Sequence, residues 1–343
     1  MQRSSEFRGV APTLLGFGGA QLGNLYRETS DDDAAAAIDA AWDRGVRYFD
    51  TAPHYGLGLS ERRIGAGLAG RPRGEDVLST KVGKMLDPSP STADRMDDQG
   101  FAVPALFRRR FDFSRDAVLR SVDESLGRLG TDYLDIAFLH DPDDHWESAS
   151  TTGIGALVEL REQGVVKAIG AGMNQSEMLT QFVRATDVDV VMVEIRDYAA
   201  EVARAGVGDG ITPALAELIA TVTRTDGLIA VTPVFAASYA GIFKAFFDVL
   251  LSRDSVPDTA KYDYADAPPE LIERARRIAA VCEAHGTTLP IAATQFPLRN
   301  PAVACVVIGL RNADQVRSAV ERLTASVPGD LWTDLAAEGL VRL

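Results

Sequence analysis

Short apolar runs alternate with longer stretches of helical period almost to the end of the chain. TLLGFGGAQLG comes first, and a helix is predicted from about Asp31 to Arg44. Its start is well marked: Ser30 or Asp31 can cap, acids fill the first turn, and Gly45 ends it. VRYFDTA follows as strand two. A helix through SERRIGAGLAG leads to strand three, DVLSTKVG. The segment from about Met85 to Phe113 is rich in Asp, Pro, Ser and Arg. It is too long for a plain connection, which marks it as a lid or substrate loop. A helix begins at Ser114, strand four is YLDIAFLH, the next helix contains GALVELREQG, and strand five is VKAIGAGMN. Then come VDVVMVEIR, helix TPALAELIATVTRT, strand GLIAVTPVF, helix SYAGIFKAFFDVLLSR, helix PPELIERARRIAAVCEAHG, strand VACVVIGLR and helix NADQVRSAVERL. The units do not repeat in sequence, which excludes a solenoid. A count of about eight strands with helical crossovers predicts an α/β fold, a (β/α)8 TIM barrel, as one domain over residues 1–343.

Composition narrows the function classes. The chain has 343 residues, 46% hydrophobic and 24% charged, enough for a large core. A formal net charge of -14 argues against nucleic acid and anionic membranes as partners. Cys282 and Cys305 sit in apolar contexts and read as core thiols in a reducing compartment. The first ten residues lack the apolar core of a signal peptide, and no apolar run is long enough to span a bilayer. A cytoplasmic location is expected. Four histidines without metal-ligand spacing speak against a zinc site.

Four polar residues fall at or just past the C-terminal ends of predicted strands two to four: Asp50, Tyr55, Lys81 and His140. That end of a parallel barrel is where active sites are built. Singly, each has a plain structural explanation. Asp50 can be a strand-end cap, Tyr55 a loop aromatic, and His140 the start of the turn DPDD. Lys81 is harder to dismiss, because an unpaired buried lysine is costly. Together they form an acid–base device suited to hydride reduction of a carbonyl. Tyr55 would donate the proton. A free phenol has a pKa of about 10, and a neighbouring ammonium lowers it. Lys81 would supply that charge, Asp50 would hold it, and His140 would orient the substrate oxygen. In the oxidation direction Tyr55 acts as base. His54, beside Tyr55, is a candidate substrate contact.

These residues match the aldo-keto reductase pattern. The chain resembles the branch with aldose (L-fucose or D-threo-aldose) 1-dehydrogenases and pyridoxal 4-dehydrogenase. LGFGGAQLGNLYR, RYFDTAPHYGLGLSERRIGAGL, GEDVLSTKVGKML, SVDESLGRLGTDYLDIAFLHDPDD and VVKAIGAGMNQ carry the likeness, with KYDYADAPPELIERARRIAAVCEAHG and QFPLRNPAVACVVIGLR later. The resemblance implies an eightfold barrel, NADP or NAD as cofactor, a carbonyl or aldose substrate, and a catalytic tetrad at Asp50, Tyr55, Lys81 and His140. It also implies that Asn174 contacts the nicotinamide amide and that Gly309, Arg311 and Gln315 face the adenosine end. Arg311 could meet a 2′-phosphate.

Between these stretches, residues of about 193–250 depart from that pattern. They resemble an NADPH-dependent FMN reductase of flavodoxin-like fold, through TDGLIAVTPVFAASYAGIFKAFFD. That resemblance implies a place near a flavin ring for Thr232, Pro233, Phe235, Ser238 and Tyr239, should FMN bind. No Ser- and Thr-rich phosphate loop accompanies it, so the stretch supplies half a flavin site. The expectation is a chimera: a reductase barrel in which strand six to helix seven comes from a flavodoxin-like protein. Both folds use right-handed parallel β–α–β units, so one can stand in for another. Tyr198 would replace the aromatic that stacks on nicotinamide, one residue out of register, and Ser238 remains available for phosphate. Three functions stay open: a working NAD(P)-dependent oxidoreductase, an FMN-binding protein, and a hybrid with an inert tetrad.

Overall fold

A computed structural model describes residues 1–173, 176–194, 227–232, 261–262, 265–266, 269–299 and 303–341. Eight parallel strands close into a barrel: β1 (Leu15–Gly18), β2 (Tyr48–Asp50), β3 (Val77–Val82), β4 (Leu134–His140), β5 (Val166–Met173), β6 (Val190–Glu194), β7 (Gly227–Thr232) and β8 (Val303–Gly309). They pair in chain order, and β8 returns to β1 in register Gly18↔Gly309. Helix α1 (Asp31–Asp43) follows β1, α2 (Leu59–Leu68) follows β2, α3 (Arg115–Leu129) precedes β4, and α4 (Ile154–Glu162) precedes β5. After β5 comes α5 (Ser176–Ala185); α6 (Pro269–Ala284) and α7 (Leu289–Gln295) precede β8, and α8 (Ala313–Thr324) and α9 (Gly329–Ala337) follow it. The helices expected at TPALAELIATVTRT and SYAGIFKAFFDVLLSR lie outside the described residues.

Strand period explains the site's position. Side chains on a strand alternate between its two faces. Tyr48, Ile136, Phe138, Ala168, Met192, Cys305 and Val307 fill the barrel interior. Gly16 is required there, since a Cβ would sit 2.7 Å from the Tyr48 ring. Counting on by two from Tyr48, Ser79 and Phe138 reaches Asp50, Lys81 and His140, the last inward positions before the mouth. The outward set, including Leu15, Phe49, Leu78, Leu139 and Ile308, packs under the helices with Ile38, Ile64, Val122, Leu157 and Phe182.

The opposite end is closed. An N-terminal hairpin (Arg3↔Thr13, Phe7↔Val10) pushes Phe7 and Val10 into the interior cluster. Around it, buried carboxylates tie strands together. Asp135 accepts from Leu78 N at 2.9 Å and Lys167 Nζ at 2.7 Å; Asp189 accepts from Ile169 N at 3.0 Å and Arg161 Nη1 at 2.8 Å. The Ser30 side chain caps α1 by accepting from Asp33 N, as predicted. Both cysteines are buried free thiols, and burial pushes the Cys282 thiol up to about 12.

Two features differ from the sequence reading. The segment after β3, expected as a loop, holds regular structure: Lys84–Pro88 and Phe107–Phe111 form an antiparallel ladder, latched by Arg110 on Asp87 at 2.7 Å. A second core, unforeseen, joins α6, α7 and α9 through Ile278, Cys282, Leu289, Trp332 and Leu335. Among the described residues no helix is long and apolar enough to cross a membrane.

Candidate active site

Asp50 ends β2 at 1% exposure and Lys81 lies near the end of β3 at 3%. Lys81 Nζ donates to Asp50 Oδ2 at 2.7 Å and to Thr51 O at 2.9 Å. The other carboxylate oxygen accepts from Ser79 Oγ at 2.7 Å, and Ser79 meets Tyr48 OH at 3.0 Å. Burial opposes the ammonium, but the Asp50 charge and the Tyr55 phenol, with hydrogen bonds to both, outweigh it and hold the Lys81 pKa above its ordinary value. Lys81 Nζ lies 4.9 Å from the Tyr55 ring centroid.

Tyr55 stands on the loop between β2 and α2, and that loop is fixed by close backbone contact. Gly56 has φ +63°, and a Cβ there would fall 2.3 Å from Gly23 O. Ser60 Oγ donates to Gly19 O at 2.7 Å and meets Thr51 Oγ1 at 2.8 Å, joining the β1 and β2 loops. Behind Lys81, the buried Glu61 accepts from Thr80 Oγ1 at 2.7 Å and pairs with Arg128, which binds α2 to β3 and α3.

His140 ends β4, with its ring centroid 5.9 Å from that of Tyr55 and 5.4 Å from that of His54. Phe101 completes the group, 5.2 Å from His54 and 6.2 Å from Tyr55. Burial, then Lys84, lowers the pKa of both histidines well below the ordinary value; Lys81 and Arg109 add to this. Both imidazoles are therefore neutral near pH 7. Nδ1 of His54 and Nδ1 of His140 are buried without a hydrogen-bond partner among the described residues. Native structures seldom leave buried polar atoms unpaired, so these nitrogens mark a place for a polar guest. The structure thus brings together all four tetrad residues and His54.

The cofactor candidates are scattered differently. Asn174, Tyr198 and Ser238 lie outside the described residues, as do Pro233, Phe235 and Tyr239. Gly309 ends β8, where a Cβ would meet Gln21 Oε1 at 2.3 Å. Gln315 Oε1 accepts from Arg311 N at 2.8 Å in the first turn of α8, which Asn312 caps through Gln315 N. The Arg311 guanidinium turns to the β1 loop, donating to Leu25 O at 2.7 Å, Arg27 O at 2.9 Å and Thr29 Oγ1. Arg63 grips the same loop at Leu22 O and Thr29 O.

The family model described as "Aldo/keto reductase family" matches residues 14–203, more than half the chain. The chain belongs to the aldo/keto reductase family. A D-threo-aldose 1-dehydrogenase of Pseudomonas sp is 41% identical over 97% of this chain and 96% of its own length. A pyridoxal 4-dehydrogenase of Microbacterium luteolum is 35% identical over 97% of this chain and 96% of its own length. A solved glycerol dehydrogenase from Gluconobacter oxydans superposes with a TM-score of 0.71 at 17% identity, covering 98% of this chain and 94% of that one, which speaks for the fold. This aldo/keto reductase also matches a second model, described as "NADPH-dependent FMN reductase", over residues 167–264. Its β7 lies within that match and takes the barrel place between β6 and β8.

Sequence reasoning missed Lys84, Phe101 and Arg109 as neighbours of the site. Arg109 donates to His54 O at 2.9 Å, pairs with Asp97, and lies 5.5 Å from the Phe101 ring; Lys84 pairs with Asp141, just past His140. The run FRRRF was a signal, because adjacent arginines invite acidic partners, but of those partners only Asp112 is next to it and Asp97 and Asp87 lie on other segments.

Proposed function

We propose that this aldo/keto reductase is an NAD(P)-dependent oxidoreductase interconverting a carbonyl or sugar hemiacetal with its alcohol or lactone. The observation that carries the reading is the buried Lys81–Asp50 pair set against Tyr55, with the unpartnered His140 nitrogen beside it. In reduction, the Tyr55 hydroxyl gives its proton to the carbonyl oxygen as negative charge develops there. The Lys81 ammonium stabilises the phenolate left behind, and Asp50 fixes the ammonium. Neutral His140 carries one N–H with which to hold the substrate oxygen. In oxidation, Tyr55 takes the hydroxyl proton. NAD(P), when bound, supplies or accepts the hydride.

The residues fit such a group. Beyond the unpartnered imidazoles, α8 opens directly after β8 at the mouth, and a helix N-terminus favours an anion such as a pyrophosphate. Gly309, Arg311 and Gln315 would line that end, with Asn174, Tyr198 and Ser238 from outside the described residues. The test is absorbance at 340 nm with aldoses, comparing Tyr55→Phe. Activity unchanged by that substitution rejects the mechanism. The names of the two close relatives favour an aldose or an aromatic aldehyde as substrate.

A second reading rests on the FMN reductase match. In it, residues 193–250 are a flavodoxin-like graft, and the protein either binds FMN there or carries an inert tetrad. Quenching of FMN fluorescence on titration supports flavin binding. A colourless protein that leaves FMN fluorescence unchanged removes it. Turnover abolished by Lys81→Met removes the inert hybrid.

A further inference from the structure

Beside the tetrad, the hairpin and its loop enclose a cavity of about 530 Å³ that shares His54 with the active site. Its wall carries four cations, Lys84, Arg95, Arg108 and Arg109, against two carboxylates, Asp97 and Asp98. This local excess of positive charge stands out in a chain of net charge -14. Two of the carboxylates near it are already engaged: Asp97 pairs with Arg109 and Asp141 with Lys84. Arg95 and Arg108 are exposed at the cavity and have no side-chain hydrogen-bond or ion-pair partner among the described residues. Arg109 Nε and His54 Nδ1, both buried, also have no hydrogen-bond partner there. Beside Thr92 and Gln99, the rest of the wall is the apolar Met96, Ala105, Phe107 and Phe111, open to water with Met96 60% and Phe111 45% exposed.

We propose that this cavity is the subsite for an anionic group, a phosphate or a carboxylate, carried by the substrate beyond its reacting carbonyl. The proposal rests on the carbonyl oxidoreductase reading and names the substrate class within it. The geometry supports it. With a carbonyl oxygen at Tyr55 and His140, the rest of the substrate would pass His54 into the adjoining cavity, whose wall offers Arg95 and Arg108 as unshared cations. Met96, Phe107 and Phe111 cover the intervening carbons. The field is consistent, since Lys84 and Arg109 disfavour a positive charge on both histidines and thereby favour an incoming anion.

Two matched pairs test this: glyceraldehyde 3-phosphate against glyceraldehyde, and 4-oxobutanoate against butanal. The expected result is a kcat/KM for at least one anionic member about tenfold above its neutral partner. The ratio should fall toward one in Arg95→Gln/Arg108→Gln, as expected when two partly exposed cations are lost. The pair that responds tells phosphate from carboxylate. Ratios near one in the unaltered protein, or ratios that the double substitution leaves in place, overturn the proposal while catalysis stands. Calorimetric titration with glycerol 3-phosphate and with succinate gives an independent readout. Should neither these aldehydes nor aldoses be turned over, the oxidoreductase reading fails, and saturable binding lost in the double variant still upholds the anion subsite. Absence of binding to both probes then overturns it.

Discussion

Replacing Lys81 by Met separates stability from chemistry at one point. The ammonium makes buried hydrogen bonds at 2.7 Å to Asp50 and 2.9 Å to Thr51 O. Methionine nearly preserves the volume but leaves the Asp50 carboxylate, 1% exposed, with Ser79 Oγ as its remaining hydrogen-bond donor among the described residues. Breaking a buried ion pair from one side costs about 3–5 kcal/mol, because the stranded charge is desolvated without compensation. Lys81→Met should lose stability on that scale in a urea titration. Adding Asp50→Asn removes the stranded charge, so the double variant should regain at least about half of the loss, a coupling typical of side chains in contact. Activity should not follow. Without the ammonium the phenolate left after proton transfer loses its stabilising charge, and the loss of assisted proton transfer should lower kcat by on the order of 10²–10⁴ in both variants. Two results refute the reasoning. Lys81→Met within about 1 kcal/mol of the unaltered protein would deny that the pair is buried and coupled. Recovery of activity along with stability in the double variant would deny the chemical role of Lys81.

Three further outcomes follow from the geometry. Gly56→Ala should cost about 2 kcal/mol or more and depress activity by displacing Tyr55, since it combines positive φ with a clash on Gly23 O; a variant of normal stability and rate contradicts the loop contact. Asp76 has its pKa raised to about 6, chiefly by burial, with Arg73 opposing. Its proton is held more tightly in the folded state, so the stability it adds is full below about pH 4 and is lost as pH rises through about 6. Asp76→Asn should therefore gain relative to the unaltered protein between about pH 5 and 7.5, by about 1 kcal/mol after allowance for screening; parallel urea midpoints at the two pH values refute this. Because burial and nearby cations keep His54 and His140 neutral, kcat/KM should show no imidazole ionisation near pH 6.5. An acidic limb at that pH that disappears in His140→Asn would overturn the assignment.

The barrel and its tetrad were legible because both are written in short-range pattern. Strand period two, the helix cap at Ser30, and polar residues closing apolar runs are local signals, and the inward count to Asp50, Lys81 and His140 follows from them. What escaped depends on distance along the chain. Arg311 meets Leu25 from 286 positions away, and no periodicity foretells that partner. The Phe107–Phe111 strand lacks alternation; its ladder with Lys84–Pro88 carries the salt bridges that latch it, so it read as loop. Helices α7 and α9 are short, and their apolar faces acquire meaning only when α6 supplies Ile278 and Cys282 to bury them against.

The buried carboxylates at the closed end bear on how such a barrel can change. Asp135 reaches from β4 to the backbone of β3 and the side chain of β5, and Asp189 reaches from the start of β6 to the backbone of β5. Neighbouring staves from β3 to β6 are thus riveted to one another, while β7 joins β6 and β8 through parallel backbone ladders, the second shifting register between Val303 and Cys305. A ladder of this kind accepts any sequence that can hold an extended strand of the right length. Lineages of this barrel could therefore renew one stave and the chain around it while inheriting the riveted side, which carries Lys81 and His140, intact.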